Sequence, residues 1–290
     1  FDKDRESIIF NWSKTFYVNE RFFNDRHKVN NLTVYKCYKR YIRVFSRKSP
    51  DINNEYLQKI DKICNFFDAI LGKKKSHFMD IYLFNDKKLL KGPDDIPSRN
   101  NVNSGSVLIK KGRVVIFRTE EWEKVLVHEL IHYHNLHIYK FRNELLYIYK
   151  NINTKSNLSP NEGYTEFLAL ILYYKIFKPR RIEHYLTREI AWGFIQSAKI
   201  LRLKGFKKYG ELFDGEKEYS QDTALLSYFL LKTYFLFYNK YQKCIKLVPG
   251  NNNVKCFKDI NLRQKNFGKI INFCIKNYDP EDMSMKFSLT

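Results

Sequence analysis

The sequence predicts an α+β protein, on three observations. Strand-like segments are confined to residues 78–117, apolar residues at helical spacing fill the chain after residue 160, and 290 residues of which 44% are hydrophobic can bury a sizeable core. Three regions follow from that pattern. Residues 1–77 are expected to be mainly helical, residues 78–180 to hold a small mixed or antiparallel sheet with a pair of helices, and residues 181–290 to form a helical lobe. No internal repeat is present.

The elements follow in order. Residues 7–72 read as helices, with Tyr35, Tyr38, Tyr41 and Phe45 on one face and Lys36, Lys39, Arg40 and Arg43 on another. Such a face is expected to be a core stripe with a solvated back, although aromatics interleaved with cations also suit stacking on single-stranded nucleic acid. The segment FMDIYLF (78–84) is strand-like. After a polar loop carrying Pro93 and Pro97, SVLIKKGRVVIF (106–117) reads as a hairpin turning at Lys111 and Gly112. Thr119 suits a helix N-cap, Glu120, Glu121 and Glu123 complement the N-terminal dipole, and the apolar pattern runs to Tyr139. The polar stretch 151–160 is a loop, and helices are expected over 161–177, 188–201, 222–241 and 260–277.

Composition limits the function classes. Lys and Arg number 52 against 31 Asp and Glu, a net charge of +21, which attracts acidic partners: nucleic acid, an anionic surface or an acidic polypeptide. No apolar run is long enough to span a bilayer, since 224–238 is broken by Lys232. Five cysteines (Cys37, Cys64, Cys244, Cys256, Cys274) form no CxxC pair and cannot all pair within the chain. A soluble protein of a reducing, intracellular or virion-associated setting is expected, with secretion left open because the chain begins at Phe1. The wealth of Lys, Asn, Ile, Phe and Tyr suits an AT-rich genome such as that of a large DNA virus or a parasite.

One stretch carries chemistry. VLVHELIHYH (125–134) places His128 and His132 four residues apart, so on a helix they differ by about 40° and reach one ion from adjacent turns. Glu129, roughly 100° around, can approach a water at that ion without ligating it. This is the spacing of a zinc site with its general base. Val125, Leu126, Val127, Leu130 and Ile131 bury the helix on several sides, and buried ionisable groups need a compensating partner such as a metal. A hydrolytic zinc site needs a third protein ligand and an open position. Downstream, NEGYTEF (161–167) offers Glu162, with Glu166 one turn later on the same face.

The two motifs together resemble those of the gluzincin metallopeptidases, the group of thermolysin and the aminopeptidase N type enzymes, and NEG followed by an aromatic is most similar to the aminopeptidase branch. The resemblance covers residues 125–170. It implies a zincin-like core with a metal-binding helix pair, one Zn2+ per chain on His128, His132 and Glu162, Glu129 as general base, and Glu166 orienting a ligand histidine. The 29 residues between His132 and Glu162 imply an insertion in the connecting loop. The metzincin pattern fits less well, because His134 and His137 fall at other offsets, and both are expected to point elsewhere.

By the same resemblance a Tyr or His from further along the chain stabilises the oxyanion; Tyr228 is the first choice, with Tyr219 and His184 behind it. Substrate backbone would run along an edge strand before the metal helix, where the hairpin arms 106–110 and 113–117 stand, with Asn103, Ser104 and Gly105 lining the cleft and the helical lobe closing it. The function expected is hydrolysis of peptide bonds in a peptide or protein substrate, acidic ones among them. The alternative is a catalytically inactive zincin-fold protein that binds nucleic acid or an acidic partner through its basic surface.

Overall fold

A computed structural model of the chain describes most of residues 31–289, leaving out 38–39, 47–53, 73–76, 83–86, 137–148, 155–157, 251–256 and isolated positions. The helices expected within 7–30 lie outside the described residues. The class is α+β. The chain divides into two compact units, Phe1–Lys88 with Arg99–Tyr133, and Leu89–Ser98 with His134–Thr290.

The first unit is built on a five-stranded mixed sheet of order β1-β2-β3-β5-β4. β1 (Asn31–Cys37) and β2 (Arg40–Ser46) pair antiparallel. β2 then pairs in parallel with β3 (His77–Tyr82), and the crossover that parallel pairing requires contains helix α1 (Asn54–Leu71). After a short helix α2 (Arg99–Val102), β4 (Gly105–Leu108) and β5 (Arg113–Ile116) form the expected hairpin, β5 parallel to β3 and β4 at the edge. Gly112 supplies the left-handed backbone at its turn, with φ 58°. Because β2 and β3 are hydrogen-bonded neighbours, residues on both sides of the boundary expected near 77 share one sheet.

Asn31–Cys37 and Arg40–Ser46 are strands and not the helix that the aromatic spacing suggested. Alternation in β2 separates Arg40, Ile42 and Val44 from Tyr41, Arg43 and Phe45. The β-branched Ile42 and Val44 suit the pleat and are held by cross-strand partners on both sides. Ile42, Val44, Met79, Ile81, Val114 and Ile116 line up by register on one face and are buried, beside Ile60, Ile63 and Phe67 of α1 in the same core. Arg40 shares that face, its guanidinium paired to Asp68 of α1 at 2.5 Å with both groups buried.

Helix α3 (Trp122–Tyr133) completes this unit. Of its twelve residues only Glu123 and His132 are not buried, as a helix apolar on all sides requires. Its start is fixed by lysines. Glu120 accepts the Lys88 backbone N–H, Glu121 pairs with the buried ammonium groups of Lys88 at 2.7 Å and Lys124 at 3.6 Å, and Glu123 accepts from Lys59 at 3.2 Å. Glu121 adopts left-handed backbone, φ 57°, and Thr119 closes the preceding turn by accepting the Trp122 N–H. The helix stops at Tyr133, short of the expected Tyr139, and Asn135 takes the left-handed conformation common just beyond helix ends.

The second unit is helical: α4 (Pro160–Phe177), α5 (Ile182–Leu203), α6 (Lys232–Phe237) and α7 (Lys265–Lys276). The long helix expected over 222–241 is broken, with a π-helical turn at Ser227–Leu231 leading into α6 and a 3-10 segment at Asn239–Cys244 after it. Rings of Tyr164, Phe167, Phe235, Tyr241 and Phe257 pack edge to face or offset with centroids 5.2–6.5 Å apart. A strap over residues 282–289 lies on α5 and α6. It is held by Lys199 to Asp282 and the Ser284 carbonyl, by the Trp192 indole to the Lys286 carbonyl, by Lys232 to the Phe287 carbonyl, and by the Leu289 N–H to Glu189. Cys64 is buried, Cys274 is half-buried and neither is in a disulfide, whereas Cys244 is disulfide-bonded. Among the described residues no helix is long and apolar enough to cross a membrane.

Candidate metal centre

The spacing read from the sequence is realised on α3. His128 and His132 occupy consecutive turns with ring centroids 4.9 Å apart, and their Nε2 atoms are 3.1 Å apart. Two nitrogens bound tetrahedrally to zinc at about 2.0–2.1 Å stand roughly 3.3 Å from each other, so the rings are already set for a common ion. His128 and Glu129 are buried and His132 is half-buried, which leaves the pair open on one side.

Glu129 projects toward the sheet edge, where Gly105 makes room for it. A side-chain carbon at Gly105 would stand 3.0 Å from both Cγ and Oε1 of Glu129 and 2.8 Å from Cγ1 of Val125. The backbone of edge strand β4 therefore lies flush on the ridge formed by Val125 and Glu129, one turn apart. Of the three residues expected to line a cleft, Gly105 is half-exposed beside the glutamate. Asn103 and Ser104 are buried in the turn leading to β4; their backbones bond to Arg99 and Phe117.

Glu162 sits in the first turn of α4, whose start is set by Pro160 at a position where no N–H is needed. Its Oε2 accepts a hydrogen bond from the Tyr228 hydroxyl at 3.2 Å. Two features bring that tyrosine to it. Tyr228 lies in the π-helical turn, and Gly163, next to Glu162, lets that turn approach: a side-chain carbon there would meet the Ser227 carbonyl oxygen at 2.9 Å and Leu231 Cβ at 3.0 Å. The Tyr228 ring packs on Phe287 of the strap, centroids 4.6 Å apart. Glu166 is buried one turn beyond Glu162.

One nitrogen each from His128 and His132 and one carboxylate oxygen of Glu162 lie within 4.8 Å of one another, and this group could hold a metal ion. The donor set, two imidazoles and a carboxylate, is that of catalytic zinc sites with a fourth position for water or substrate. The other candidates stand elsewhere. Tyr219 is fully buried, its hydroxyl donating to Gln221 at 3.2 Å, and His184 is exposed on α5. His134 is buried beyond the end of α3, and His137 lies outside the described residues. Sequence reading missed Gly163 and Phe287. A glycine directly after a candidate ligand was the one available signal; nothing marked Phe287.

No family model matches the chain. It is similar to uncharacterized protein R210 of Acanthamoeba polyphaga mimivirus, 26% identical over 148 residues that cover 46% of this chain and 38% of that protein. The match thus spans well under half of the relative's length, and its viral source accords with the AT-rich composition.

Proposed function

We propose that the protein is a zinc-dependent peptidase in which His128, His132 and Glu162 hold one Zn2+ and Glu129 is the general base. The observation that carries this reading is the 3.1 Å separation of two imidazole nitrogens on one helix, with the Glu162 carboxylate in the same group and a second carboxylate, Glu129, next to His128 in sequence. When bound, zinc supplies Lewis-acid polarisation of a carbonyl and acidifies a water. The chain's own residues do the rest. Glu129, held by α3 against the backbone of β4, takes the proton of the attacking water and passes it to the leaving amine. The Tyr228 hydroxyl, already a donor to Glu162, can turn to the oxygen on which charge develops. Among the described residues β4 has a strand partner on one side only, and its half-exposed edge suits an extended substrate backbone. The excess of cations favours peptides rich in acidic residues.

Elemental analysis of the purified chain is expected to give one zinc per molecule, and His132→Ala to lose it. Glu129→Gln is expected to keep the zinc and to lower peptide hydrolysis by at least a hundredfold; full activity in that variant would overturn the mechanism.

A further inference from the structure

The aromatics and cations of β1 and β2 are not used by the metal centre, and their strand conformation changes what they present. In a helix the rings would lie on one face and the cations on another. In β2 and its neighbours, register aligns Tyr41 with Phe78 and Phe78 with Arg113 across three strands, and in the next row Arg43 with Asp80. Both rows of side chains stand on the sheet face opposite Ile42 and Met79.

Tyr41 is 37% exposed and Phe78 40%, their rings stacked with centroids 5.4 Å apart. The Arg43 guanidinium lies 5.8 Å from the Phe78 centroid and is fixed by two hydrogen bonds of 2.8 Å to buried Asp80, which Arg113 approaches at 3.5 Å. Phe78 also donates its N–H to the Gly112 carbonyl, so the hairpin turn with exposed Lys110 and Lys111 borders the same rings. Four cations against one aspartate leave the patch at +3. Two large aromatics half in water are costly to leave bare, and only an anionic partner complements the charge around them.

We propose that this end of the sheet, Tyr41 and Phe78 with Arg43, Arg113, Lys110 and Lys111, is a docking surface for single-stranded nucleic acid. Unpaired bases offer planar apolar faces to the rings while their phosphates meet the cations; a duplex hides its faces, and an acidic peptide offers charge without the planes. The inference does not depend on the metal centre.

The test is fluorescence anisotropy of the full chain with labelled oligo-dT, oligo-U and a duplex of equal length, across salt. Single strands are expected to bind more tightly than the duplex, unaffected by chelator, with affinity falling steeply as salt rises. Tyr41→Ala and Phe78→Ala should each weaken single-strand binding about tenfold, with Tyr41→Phe near wild type. Lys110→Gln with Lys111→Gln should reduce the salt slope by about 1.4 while the melting temperature stays in place. If Phe78→Ala fails to fold, Tyr41→Ala and the lysine pair carry the test. Absence of single-strand binding at low salt overturns the proposal. So does binding that the ring variants leave intact, or equal affinity for a duplex or for poly-glutamate.

Discussion

At the scale of single residues, two glycines govern the candidate site as much as its ionisable groups do. Gly105→Ala would drive a methyl to 3.0 Å from Glu129 and 2.8 Å from Val125, and the carboxylate, at the end of a flexible side chain, is the group that yields. The variant should keep its zinc and lose at least tenfold in kcat with KM little changed, as a displaced base requires. Pairing it with Val125→Ala, which relieves the strand but not the base, should restore stability and not kcat. At Gly163 the helix would gain about 1 kcal/mol from alanine, but the new carbon would meet a backbone carbonyl at 2.9 Å that cannot rotate away, and overpacking of this kind costs about 1–3 kcal/mol. Gly163→Ala is therefore expected to lower the denaturant midpoint, with a net loss of up to about 2 kcal/mol. The two candidate ligand histidines were legible in the sequence because the four-residue spacing of His128 and His132 is itself a statement about geometry. The glycines were not, because a clash that never happens leaves no trace in composition.

Among elements, the same contrast appears. The hairpin at β4 and β5 and helices α4 and α7 were readable from alternation, turn residues and apolar period. The segment 31–46 was not, because Tyr41 and Phe45 are four apart and satisfy a helical period as well as a strand alternation; pairing with β3, remote in sequence, decides between them. Nor could sequence show that Lys199 and Lys232, which look like solvated breaks in apolar runs, turn inward to bond the strap. Burial lowers the readiness of Lys199 to hold its proton despite Asp282. Helix α5 passes α6 at Gly193, where an added carbon would fall 2.1 Å from Thr233 Oγ1, and that hydroxyl is held by the Phe229 carbonyl at 2.6 Å. Gly193→Ala should cost about 2 kcal/mol or more in urea unfolding. Adding Thr233→Ala should recover at least half, a coupling that a double-mutant cycle will read directly.

Over the whole molecule, the sequence pattern predicted the α+β class, but a tyrosine count said nothing of where the rings would lie. Tyr149, Tyr164, Tyr209 and Tyr219 are buried, and desolvation is the first cause that raises their ionisation above the ordinary phenol range. The folded chain keeps these protons while the unfolded chain sheds them near pH 10, so their stabilisation is complete below about pH 10 and is lost as pH rises beyond it. In an alkaline titration the tyrosinate absorbance of the buried set should rise together with loss of the helical circular dichroism; a rise in that absorbance with the helices intact would contradict the prediction. The strap has a consequence of its own. Its own Met285, Phe287 and Ser288 are buried, and Phe287 covers the ring of Tyr228. A protease nick that lets the strap peel away would bare an oily seam on α5 and α6, and such molecules would be expected to clump with one another before their helices unravel.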